Sequence, residues 1–208
     1  MSRTFIISGT DTGIGKTAAA AMLTLGLDAH YWKPIQSGTE DGTDTKTVRT
    51  LTGLPESRFL PEAYVLTEPL SPHRSAELDG IEIDLDRLAL PQFDGPLIVE
   101  GAGGLMVPIR RDLLQIDLFR RWGAPVVLCA RTGLGTINHT LLSIEAVRAR
   151  NMTLHGILFI GDDNPDNIRT VGELSGAPVL GRLPWLERVD AAGLGAAFAD
   201  HFRVEDFL

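Results

Sequence analysis

The 208-residue chain is 44% hydrophobic and 22% charged, the composition of an ordinary globular protein with enough length for one well-filled core. Its formal net charge of −8 argues against nonspecific binding to nucleic acid, which draws on clustered Lys and Arg. A single cysteine excludes an intramolecular disulfide, no apolar run approaches the roughly 18 residues of a membrane helix, and no secretion signal is expected. One cytoplasmic domain spanning 1–208, with no membrane or nucleic-acid partner, is expected.

In chain order, TFIIS (4–8) reads as a strand and KTAAAAMLTLGL (16–27) as an alanine-rich helix, with Gly26 placed to cap it. Between them, GTDTGIGKT falls one residue outside the pattern Gly, four residues, Gly-Lys-Ser/Thr, because Thr10 stands where a glycine belongs. The context still suits a phosphate-binding loop: three glycines between strand and helix let the backbone close on an anion at a helix N-terminus. Lys16 supplies a point charge for the outer phosphates, and Thr17 a hydroxyl for magnesium.

HYWK (30–33) is the next strand, and Pro34 makes Lys33 a strand-end residue. Residues 38–95 read as an insertion with one or two helices and long loops. Within it, Asp44 is equally a helix N-cap or a metal ligand. PLIVE (96–100) ends at Glu100, a carboxylate suited to magnesium or its water shell. A helix over 114–122 precedes PVVLCA (125–130), which buries Cys129. Ile137, Leu141, Ile144 and Val147 mark a helix over 137–150. HGILFIG (155–161) and PVLGRL (178–183) complete the strands.

These runs do not alternate, as befits strands buried on both faces. Strands interleaved with helices predict a single-domain, doubly wound, mostly parallel α/β sheet flanked by helices, of the P-loop NTPase type. The segments after Lys33, after Glu100 and after PVVLCA then all reach the carboxyl edge beside the phosphate loop, where such sheets bind ligands. His139 is expected to be structural, and Trp185 to be core or pocket wall.

Taken together, GTDTGIGKT, KPIQSG, VEGAGG, LGTINHT and GRLPWL, in this order over residues 4 to 188, resemble the dethiobiotin synthetase family. The resemblance implies ATP-dependent ring closure of diaminononanoate with carbon dioxide, through a carbamate and its phosphoric anhydride. It implies that Gly13, Ile14, Gly15, Lys16, Thr17 and Ala18 hold the nucleotide phosphates, with Gly101, Ala102 and Gly103 alongside. Thr17, Asp44 and Glu100 would hold magnesium, while Lys33, Lys16 and Thr12 form the catalytic set. Ser37 would contact substrate. Gly135, Thr136, Ile137 and Asn138 would receive the substrate carboxylate from the other subunit of a homodimer, and Pro184, Trp185 and Leu186 would line the base pocket.

Two departures stand out. Some relatives carry glutamate at Gly13, and many carry Asn-Asp where Ile160-Gly161 stand, so use of other nucleoside triphosphates is also expected. Among competing readings, a regulatory GTPase lacks its Asn-Lys-x-Asp reader here. A partition-type ATPase lacks its early second lysine, since Thr10, Asp11 and Thr12 stand there. A P-loop small-molecule kinase or ATPase with another acceptor is the nearest alternative.

Overall fold

The computed structural model describes residues 3–40, 42–92 and 94–207. Strand β1 (Thr4–Gly9) leads through the glycine-rich loop into helix α1 (Lys16–Gly26), followed by β2 (His30–Trp32) and β3 (Ile35–Ser37). The irregular stretch holds α2 (Asp44–Thr52), β4 (Phe59–Leu60), β5 (Tyr64–Leu66) and α3 (Pro72–Asp79). Then come β6 (Leu97–Gly104), β7 (Pro108–Arg110), β8 (Leu113–Leu114), α4 (Gln115–Trp122) and β9 (Val126–Arg131). The chain finishes with α5 (Thr136–Arg148), β10 (Leu154–Ile160), α6 (Pro165–Ser175), β11 (Val179–Leu183) and α7 (Ala191–His201).

Seven strands form one sheet in the order β11-β10-β9-β1-β6-β2-β4, and every pair in it is parallel. Alternate side chains of each central strand enter different cores. Phe5 and Ile7 of β1 pack toward α1 and α7, whereas Ile6 packs with Ile116 of α4 and Ile144 of α5. With apolar layers on both faces, these strands have no solvent side to mark with polar residues, which is why the runs did not alternate.

Three boundaries differ from the sequence expectation. Gly26 does not cap α1; it is the last helical residue, with Leu27 as the cap. A Cβ on Gly26 would lie 2.5 Å from the ring of Phe198, so the glycine lets α1 and α7 pack closely. Strand β6 continues past Glu100 to Gly104, because Gly104 pairs with Gly9 after a shift in register. Glu100 is therefore a mid-strand residue. The 38–95 region, expected to hold one or two helices and long loops, contains helices α2 and α3 and also two short strands: β4 forms an edge of the main sheet, and β5 pairs with β3.

Candidate active site

The phosphate loop ends where α1 begins, with Gly15 as N-cap at φ +97°, a left-handed conformation that favours glycine. The first turn of α1 carries no acidic residue, so its free N–H groups and positive dipole end remain suited to an anion. Ile14 is buried in the core at 2% exposure, which leaves its backbone rather than its side chain to serve a ligand. Lys16 is also buried, and its Nζ donates to the Asp11 carbonyl at 2.8 Å. Burial pushes its ammonium below the usual lysine range, with Glu100 the principal opposing charge.

Next to this loop, strand register assembles a charged cluster. Tyr31 of β2 lies opposite Ile98 of β6, and Trp32 opposite Val99, so the next step sets Lys33 beside Glu100. Both are almost fully buried, at 4% and 1% exposure. Lys33 Nζ contacts Asp44 Oδ2 at 2.6 Å and Glu100 Oε1 at 3.2 Å, and it also donates to the Gly101 carbonyl at 3.1 Å. Burial alone would push the Lys33 ammonium down, but the two carboxylates outweigh it and hold the group above its ordinary value. Thr17 Oγ1 donates to Glu100 Oε1 at 2.9 Å. Thus Lys33, Thr17, Asp44 and Glu100 converge on one point.

The geometry takes Asp44 out of the capping role. Thr43 is the N-cap of α2, its side chain accepting from the Lys46 N–H, which frees the Asp44 carboxylate to face Lys33. Gln36 was not foreseen from sequence. Its Oε1 accepts from the Asp44 N–H at 3.0 Å while its Nε2 donates to the Gly38 carbonyl at 3.1 Å, tying the start of α2 to the chain after β3. Tyr31 was missed as well: its hydroxyl donates to Glu100 Oε2 at 2.8 Å. The signal was present, because Tyr31 lies two residues before Lys33 and strand periodicity puts both on one face.

A cleft of about 490 Å³ opens over this cluster, bounded by Thr12, Lys16, Lys33, Asp44, Glu100 and Gly103. Gly13, Gly15, Thr17 and Ala102 also reach it, as does Ser37, whose buried Oγ has no hydrogen-bond partner among the described residues. The segment Pro69–Pro72 forms the facing wall. Gly101 contributes its carbonyl to Lys33, and the Ala102 N–H donates to Gln115 Oε1 at 2.6 Å. Ala18, one step further along α1, does not border the cleft.

Two groups of expected residues lie elsewhere. Gly135–Asn138 form the start of α5 and do not border the Lys33 cleft of their own chain; the Thr136 hydroxyl donates to the Arg131 carbonyl. Pro184–Leu186 follow β11, also outside that cleft, with Leu186 packed on the core and Trp185 67% exposed. Trp185 nevertheless neighbours Gly161, and Ile160 packs against Gly15 of the phosphate loop. A Cβ on Gly161 would lie 2.7 Å from Thr132 Oγ1, so a polar side chain there would require Thr132 to move. His139 borders a second depression of about 400 Å³ beside Thr12, with Met106 and Leu142. Cys129 sits beneath the loop, its thiol pushed up by burial to about 12 and therefore inert.

Comparison with known proteins agrees with this geometry. The AAA domain family model matches residues 3–192. ATP-dependent dethiobiotin synthetase BioD of Rhodopseudomonas palustris strain HaA2 is 59% identical over 208 residues, covering 100% of this chain and 98% of the relative. The same-named protein of Brucella anthropi is 55% identical over 207 residues with the same coverage. Among solved structures, a ParA family ATPase from Chlorobium tepidum TLS aligns with a TM-score of 0.53 at 14% identity, covering 95% of this chain and 92% of that one. The MinC:MinD cell division complex of Aquifex aeolicus gives a TM-score of 0.54 at 10% identity, covering 94% and 86%. The two structures speak for the fold alone; the sequence relatives carry the family, and the chain belongs to the dethiobiotin synthetases.

Proposed function

We propose that this chain, as one synthetase domain, uses ATP to close the cyclic urea of dethiobiotin from 7,8-diaminononanoate and carbon dioxide. The observation that carries the reading is a buried lysine held by two carboxylates at the edge of the phosphate loop, within a cleft large enough for a second reactant. Ring closure needs a fixed cation where anionic charge builds between a carbamate and a phosphoryl group. Lys33 meets that need.

The chemistry divides into three steps. One substrate amine adds to the carbon of carbon dioxide and loses a proton, giving a carbamate. A carbamate oxygen then attacks the terminal phosphorus of ATP, and ADP leaves. The neighbouring amine attacks the activated carbonyl, phosphate leaves, and the nitrogen gives up its proton as the ring closes. Lys16 and the N–H groups at the start of α1 bind the phosphates and neutralise charge on the transferring group. Lys33 orients the carbamate oxygen toward the phosphorus, and the unpartnered Ser37 hydroxyl is free to bind the substrate. Thr12, on the loop side of the cleft, helps fix the terminal phosphate.

The donor set also fits magnesium. Thr17 offers a hydroxyl and Asp44 and Glu100 offer carboxylates, the oxygen chemistry that this ion prefers. No group of three or more His, Cys, Asp or Glu that could hold a metal occurs among the described residues, which suits an ion bound jointly with nucleotide phosphates rather than caged by protein. Bound there, magnesium would be held by Thr17, Asp44 and Glu100 and would offset negative charge on the nucleotide.

A homodimer completes the reading. Gly135–Asn138 do not border their own cleft yet offer a helix N-terminus for a carboxylate, a role a second subunit's copy can fill. Leu134 is fully exposed, and Leu142 and Met106 are more than half exposed nearby in sequence or in the depression they share. For the base, Trp185 offers an exposed ring beside Gly161, and neither the buried Ile160 nor Gly161 offers a polar side chain to read a purine edge, which supports use of several nucleoside triphosphates beside ATP.

The test is phosphate release with magnesium and ATP, with and without diaminononanoate and bicarbonate, alongside a panel of other triphosphates. Release should require both co-substrates and persist with more than one triphosphate. Release indifferent to bicarbonate would sink the synthetase reading in favour of a kinase or ATPase. A sedimentation coefficient of the monomer at assay concentration would remove the shared-site element.

A further inference from the structure

Glu100 accepts three hydrogen bonds, and they are divided between its two oxygens. Thr17 and Lys33 both reach Oε1, at 2.9 and 3.2 Å, whereas among the described residues Tyr31 alone reaches Oε2, at 2.8 Å. Tyr31 is 0% exposed, its ring stands beside Phe59 at 6.2 Å between centroids, and its backbone is fixed between β4 and β6. The phenol therefore comes from a rigid part of the sheet, while Thr17 sits on the helix that receives the nucleotide.

We infer that Tyr31 is a positioning residue, which locks Oε2 of Glu100 so that only Oε1 is presented to the magnesium nucleotide. The inference rests on the reading of Glu100 as a magnesium-side carboxylate. Its chemistry is simple. A carboxylate on an otherwise apolar strand can rotate about its terminal bond, and that rotation exchanges the two oxygens. A hydrogen bond from a buried phenol to one oxygen removes the freedom and fixes the other oxygen along the line to Thr17 and Lys33. The phenol is fully buried, and its hydroxyl is already committed to Oε2. It donates and never competes for the metal.

The test uses Y31F, which keeps the ring and deletes the donor. Calorimetric titration of the intact protein with a β,γ-methylene analogue of ATP, with and without magnesium, separates metal-assisted binding from phosphate-loop binding. Expected is a roughly tenfold loss of affinity with magnesium, little change without it, and a higher magnesium concentration for half-maximal turnover. The KM for the diamine should stay the same while kcat falls. F59L, which disturbs ring packing but not the hydroxyl, should leave the magnesium dependence at the wild-type level. A wild type that needs magnesium and a Y31F that matches it overturn the inference alone, as does equal weakening of binding with and without the metal. A wild type whose nucleotide binding ignores magnesium overturns the metal reading and this inference with it.

Discussion

Substituting Lys33 by methionine retains a side chain of similar length and removes its charge, leaving two carboxylates facing each other across the position of the ammonium. Glu100, at 1% side-chain exposure, would keep the Thr17 and Tyr31 donors, and Asp44, at 30%, can turn toward water. Removing one partner of a buried ion pair costs about 3–5 kcal/mol. With two donors retained and one carboxylate able to reach solvent, the lower end, about 3 kcal/mol, is expected. For a chain of this size each kcal/mol moves the thermal midpoint by roughly 2–4 °C, so K33M should melt roughly 6–12 °C below wild type in metal-free buffer. Magnesium should recover part of that loss, because the freed carboxylates then have a cation. The pH dependence is specific. The folded-state pKa of Lys33 is raised above the usual 10.5, so its stabilisation is complete below the unfolded lysine's value and is lost as pH rises through the folded one. The stability gap between wild type and K33M should be flat to about pH 10 and close above it. Differential scanning fluorimetry and denaturant titration across pH, with and without magnesium, measure all three effects. Equal midpoints for the two proteins in metal-free buffer, or a gap that widens in alkali, would refute the reasoning.

Turnover by K33M should fall by about 10²–10³, the usual cost of losing one preorganised charge donor, and steady-state phosphate release checks it. Lys16 leads to a second expectation: burial lowers its pKa in the free protein, and a bound phosphate must raise it again. Nucleotide binding in buffer alkaline enough to titrate the free Lys16 should then take up protons, measurable by calorimetry in buffers of different ionisation enthalpy, and K16M should abolish the uptake. A third concerns Gly26, where alanine improves helix propensity by about 1 kcal/mol, yet its Cβ would meet the Phe198 ring at 2.5 Å. G26A should therefore destabilise by about 1–3 kcal/mol in denaturant titration, against the sign that propensity alone gives.

The parts of the molecule legible in its sequence are those where one local rule dominates. TFIIS and PVVLCA are too apolar and too short to be anything but buried strands, and the loop between β1 and α1 carries its glycines at positions the fold requires. The two-residue strand β4 was invisible, because two residues have no period, and only pairing with β2 defines it. Lys33, Thr17 and Glu100 were legible as strand-end or loop residues of the right chemistry, although Glu100 lies within its strand. Asp44 could not be decided from sequence, since an aspartate at a helix start satisfies capping and ligation equally well. Thr43 taking the cap is a fact of three-dimensional geometry. Tyr31 and Gln36 were overlooked for a different reason. A tyrosine in an apolar strand reads as core and a glutamine before a serine reads as loop, and what distinguishes them is the carboxylate or N–H that the fold brings to each.

Because Glu100 belongs to β6, with β1 on one side and β2 on the other, it and its partner Lys33 are anchored in the interior of the sheet. Peripheral loops can melt at little free-energy cost, whereas a central parallel strand is released only with the whole structure. Heat should thus silence this protein in a single step that coincides with global unfolding, with no warm regime in which a folded but inactive form accumulates. Selection for activity at higher temperature would then have to act on the sheet and its two apolar layers, and not on the phosphate loop alone.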